Sequence, residues 1–85
     1  MLTLTSGNDY SVLAMAYTKA DLDMANRHIA EAERHILRQE ELLTGLRARH
    51  ADTTLAEELL AEFQITLRNY RDDRDMIAAQ LGQQT

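Results

Sequence analysis

From Leu22 onward, apolar residues return every three or four positions. Leu22, Ile29, Ile36 and Leu43 form one row, and Ala25, Ala32, Gln39 and Leu46 form the next. This is a heptad pattern with the first row at a and the second at d, the mark of a helix packed along one seam. A second such pattern has Leu60, Leu67, Arg74 and Leu81 at a, with Ala56, Phe63, Tyr70 and Ile77 at d. The two do not share a phase. Counting on from the first places a at His50 and then at 57, whereas the second starts at Leu60. A single continuous helix would need a stammer at this point, so a turn is the simpler reading.

The polar residues around these rows supply the boundaries. Thr18 followed by Asp21 has the spacing of a capping box. In HADTTLAE, Thr54 with Glu57 has it again, with Asp52 and Thr53 as alternative caps. Gly82 after Leu81 suits the left-handed position that ends a helix. The prediction is an all-α chain: an antiparallel two-helix hairpin with helices over about 18–49 and 54–81, roughly 48 and 42 Å long at ~1.5 Å per residue. Residues 1–17 are expected to be a flexible or partly helical N-terminal segment, because Met15 falls seven residues before Leu22. Residues 18–82 are the hairpin domain and 83–85 a C-terminal tail.

Folding the chain about residues 51–52 tests this pairing. Leu43 then faces Leu60, Ile36 faces Leu67, and Leu22 faces Leu81. Ala32 meets Tyr70 and Ala25 meets Ile77, small opposite large, as interdigitated layers require. On one flank Arg47 falls near Glu57 and Glu33 near Arg71, two opposite-charge pairs that favour this register. Two polar residues enter the seam. Arg74 is expected to pack its stem and extend its head to water or a carboxylate, and Gln39, opposite Phe63, is read the same way.

The other flank is different. It gathers Leu42 and Leu59 near the turn, Met24 and Met76 near the open end, and His28 and His35 between them, with Thr66 and Asp73 across. A hairpin leaves its seam half exposed, and a second apolar stripe beside it calls for a cover. The expected solution is a homodimer forming a four-helix bundle, with Met24, His28, His35, Leu42, Leu59 and Met76 at the interface. An unidentified protein partner is the other way to cover it. Leu37 and Ile65 belong to neither stripe.

Composition narrows the functional classes. The chain has 85 residues, no cysteine and no proline, which fits one small helical domain without disulfides or thiolate metal sites. The net charge is −5, and most of it falls after residue 50, where seven acids face three bases. Basic residues are not clustered and only four residues are aromatic, so nucleic acid is not expected as a partner. The longest mostly apolar run near the start, Val12 to Tyr17, is too short for a membrane span, so a soluble cytoplasmic protein is expected.

No catalytic motif or cofactor-binding loop is present, and the expected protein is not an enzyme. Glu-x-x-His, the di-iron bundle signature, is also absent: Ala25, Ala32 and Arg47 stand three residues before the three histidines. His28, Glu31 and His35 are the candidates for a metal site. Because the two histidines lie about 10 Å apart along a helix, the site would be completed across a dimer axis. The expected function is a non-enzymatic structural or protein–protein interaction module. The alternative is a metal- or pH-sensing bundle using these three residues near a dimer interface.

His28 to Gln39, with its HIAE-x-E-R-x-I-x-RQ pattern, and Thr53 to Phe63, with T-x-x-AE-x-LL-x-x-F, resemble a group of short, uncharacterised alphaproteobacterial proteins. The resemblance covers most of residues 20–81. It implies a bacterial cytosolic helical hairpin and transfers no functional residue. Gly45 departs from the pattern and is expected to kink or fray the end of the first helix.

Overall fold

A computed structural model of the chain describes residues 17–84. It contains two helices, α1 (Lys19–Ala48) and α2 (Thr54–Gln84), and no strand among the described residues. They pack antiparallel, so the turn lies at one end and Leu22 and Leu81 at the other. Residues 1–16, nearly all of the N-terminal segment expected to be flexible or partly helical, lie outside the described residues.

α1 begins as its capping box requires. The Asp21 amide donates to Thr18 Oγ1 at 3.3 Å, and the Thr18 amide donates to Asp21 Oδ2 at 2.9 Å. Two of the amides left free at the helix start are satisfied in this way. The other end closes without a glycine. Ala51 N–H donates to Leu46 C=O at 2.9 Å and His50 N–H to Arg47 C=O at 3.1 Å, the paired bonds of a Schellman motif. The residue in the left-handed conformation is His50, with φ 57°. Gly45 does not fray the helix, contrary to expectation: α1 runs through it to Ala48, and Arg49 N–H still bonds to its carbonyl at 3.2 Å. The bonds to Ala51 and His50 hold the last turn together beyond it.

The start of α2 is set by Asp52 rather than by the Thr54–Glu57 box. Asp52 Oδ1 accepts from the Thr54 amide at 2.9 Å and from the Thr54 hydroxyl at 2.8 Å. Glu57 turns instead to the Thr53 hydroxyl, 3.0 Å away. α2 also continues past Gly82 to Gln84, so neither the expected stop nor a tail beginning at 83 is found. Gly82 has no positive φ; glycine permits a left-handed stop without imposing one.

Every assigned seam position is buried or half-buried. Ile29, Ala32 and Leu67 form the centre of the core, with Ile36 and Tyr70 packed against them, so both expected layers, Ile36–Leu67 and Ala32–Tyr70, meet there. Among the described residues Leu43, at 2% exposed, is the one large side chain that is fully enclosed. Such burial stabilises by ~1.5–3 kcal/mol per side chain. The two ion pairs fall where the register puts them, Arg47–Glu57 at 3.5 Å and Arg71–Glu33 at 3.2 Å.

Both polar seam residues find partners. Buried Gln39 donates from Nε2 to the Ala56 carbonyl at 3.0 Å, tying α1 to the first turn of α2. It is therefore satisfied inside the seam rather than extended to solvent. Arg74, half-buried, does extend its head: Nε reaches Asp75 Oδ1 at 2.6 Å and Nη1 reaches Asn26 Oδ1 at 3.3 Å. The guanidinium is thus held by its own chain.

Candidate functional site

The face carrying the second stripe is a shallow groove along the hairpin. Because g and c positions of each helix lie beside the seam, Met24, His28, His35, Leu42, Leu59 and Met76 all stand exposed there. Hollows mark its length. At the open end, about 340 Å³ is lined by Tyr17, Asp21, Met24, His28, Tyr70, Asp73 and neighbours. In the middle, a smaller hollow of about 70 Å³ lies between Glu31, His35, Phe63, Thr66 and Tyr70. Beside it, Arg38 and Gln39 border another with the same His35 and Phe63. Near the turn, Leu42, Leu46, Leu55 and Leu59 surround the last, with Asp52 at its edge.

His28 and His35 each rest against an aromatic ring of α2. The His28 and Tyr70 centroids are 5.2 Å apart at 34°, and those of His35 and Phe63 are 5.9 Å apart at 48°. The two imidazoles thereby extend the apolar surface, with ring edges left at the groove. Asp73, across from His28, lines the same hollow.

The three metal candidates are divided between hollows. His28 borders one, while Glu31 and His35 border the next. Among the described residues no three His, Asp or Glu side chains converge where an ion could be held. Two helical turns separate the histidines, and each is turned toward a different ring.

Asp52 at the turn is displaced from the ordinary behaviour of a carboxyl. The Thr54 amide, and after it the Thr54 hydroxyl, hold the fully exposed Asp52 carboxyl below its usual pKa of 3.8. This is the electrostatics of a helix start, with a carboxylate accepting from free amides.

The pattern of rows missed Leu55, at 70% the most exposed large apolar residue among the described residues. Its position four residues before Leu59 was a sufficient signal, since residues four apart share a helix face. Tyr17, half-buried at the open end, was also missed. Leu37 and Ile65 are exposed away from the groove, as expected of residues outside both stripes.

Two helices with their seam buried and one flank apolar define the class: an all-α helical hairpin. Compared with protein-family models, curated proteins and solved structures, the chain matches none. Among the described residues no helix is long and apolar enough to cross a membrane.

Proposed function

We propose that this chain is a non-enzymatic structural or interaction module that self-associates through its grooved face, as a homodimer forming a four-helix bundle. One observation carries the reading. Four large side chains at the edges of an already half-open seam remain exposed on the same face: Met24 at 50%, Leu42 at 47%, Leu59 at 38% and Met76 at 43%. Two helices that fully enclose, among the described residues, a single large side chain form a thin core, and pairing grooves would thicken it. We place the module in the cytoplasm. Sedimentation equilibrium at about 10 µM tests the reading. A mass of two chains is expected, and a mass of one chain, 9.7 kDa, sinks it.

The histidines favour a second reading, in which association responds to pH. His28 and His35 stand on this face with Asp21, Glu31 and Asp73 beside them. Imidazole changes charge near neutrality, and charging it would cost apolar contact. The dissociation constant is then expected to differ between about pH 8 and pH 5.5. A flat profile, or an equal profile in the His28→Ala, His35→Ala variant, removes this reading.

A further inference from the structure

We propose that the grooved face takes a second copy of this chain with the turns at opposite ends, related by a twofold axis beside His35. This rests on the self-association reading and adds its geometry. A twofold axis can lay the groove on its copy in two ways. If the axis runs along the helices, α1 faces α2 of the copy at equal height. Glu31 then meets Asp73 of the copy, and Leu42 meets Glu62. The first is a like-charge contact and the second sets a carboxylate on an apolar side chain.

If the axis runs across the helices, α1 faces its own copy head to tail. Glu31 and Arg38 bracket the middle of α1 (Lys19–Ala48), so an axis at that middle brings each to the other's copy. The hollows there are already of opposite character. His35 and Phe63 are shared between them, with Glu31 on one side and Arg38 on the other. Such a surface is complementary to itself, as a twofold interface must be. Among the described residues neither Glu31 nor Arg38 has an ion-pair partner within the chain. The same axis sets the Leu42–Leu59 end of one hairpin over the Met24–Met76 end of the other. Leu42 comes over His28 of the copy, and on α2 Thr66 comes beside Asp73.

The chain has no cysteine, so single-cysteine variants report directly on the arrangement. A mixture of His28→Cys and Leu42→Cys chains, treated with a short bis-maleimide, is expected to yield the mixed cross-linked pair. A mixture of His28→Cys with Met76→Cys is expected to yield none, the two being roughly 20 Å apart along the bundle. The reverse pattern overturns the proposal. Charge exchange provides a second measurement. Glu31→Arg and Arg38→Glu, each alone, are expected to weaken the dimer about tenfold, and the double variant to return it within about threefold. A dimer that the double variant does not restore overturns the crossed geometry and leaves self-association standing. A monomer in the unmodified chain removes the self-association reading on which the geometry rests.

Discussion

Arg71 reaches across the hairpin to Glu33, Nη2 to Oε2 at 3.2 Å, over a sequence separation of 38 residues. Both side chains are about half exposed, so the pair is worth only ~0.2–1 kcal/mol. Its significance is positional: a slip of one turn would break it. Glu33→Arg and Arg71→Glu are each expected to lower unfolding stability by that amount, and together to recover most of it. Urea unfolding of the four proteins at matched concentration measures the coupling. Strict additivity would mean that the pair does not form in solution.

Gln39 calls for a two-sided test. Gln39→Ala removes a buried hydrogen bond to the Ala56 carbonyl and leaves a void, so a loss of ~1–3 kcal/mol is expected. Gln39→Leu is expected to cost far less, or to stabilise, because an apolar side chain fills the seam without needing a partner. The same change is expected to loosen register, since a single polar seam residue can select one alignment. Thermal unfolding gives the first comparison. The number and sharpness of amide resonances in an NMR spectrum give the second.

Two residues, one in the turn and one in the helix before it, have natures that could be exchanged with profit. His50 sits at φ 57°, a conformation that costs a side-chain-bearing residue ~1–2 kcal/mol and glycine almost nothing. His50→Gly is therefore expected to raise stability by ~0.5–1 kcal/mol after the added freedom of the unfolded chain is counted. Gly45 is the converse. It lies inside α1, and a Cβ there would meet nothing within 4 Å. Gly45→Ala is expected to raise stability by ~0.5–1 kcal/mol. A fall in Tm for either variant contradicts the local geometry described.

Asp52 predicts a pH dependence of known sign. Its carboxyl is held below 3.8 in the folded chain by the Thr54 amide and hydroxyl. A group depressed on folding stabilises above its unfolded pKa, and that contribution fades as pH falls through the folded value. Wild type is therefore expected to exceed Asp52→Asn in Tm at about pH 6, with the gap closing below about pH 4. A gap that widens on acidification would show that the carboxylate is not what Thr54 binds.

The heptad rows carried most of the fold. A period fixes which side of a helix is buried, and two periods out of phase fix where the chain must turn. From these came the layers at Ile36–Leu67 and Ala32–Tyr70 and the pairs at Glu33–Arg71 and Arg47–Glu57. What stayed hidden was backbone detail that side-chain pattern does not encode. His50 takes a left-handed conformation that a search for glycine overlooks. Gln39 bonds to a main-chain carbonyl, which every residue offers alike. Gly82 is passed over because a permissive residue forces nothing. The site was legible in the same proportion. The exposed stripe was visible as a row of residues, whereas the tilted packing of His28 on Tyr70 and His35 on Phe63 depends on side-chain torsions that spacing leaves free.

The bonds from Ala51 and His50 back into α1, and the Asp52 carboxylate on the Thr54 amide, all close within a few residues of the turn. A nucleus made of such local contacts loses little chain entropy when it forms. Folding can then begin at the turn and zip toward Leu22 and Leu81, one seam layer at a time. The hairpin acquires a polarity in time that its static outline does not display. Its open end is then expected to be the last part to order and the first to let go, so that a second copy would grip a structure that tightens from the turn outward.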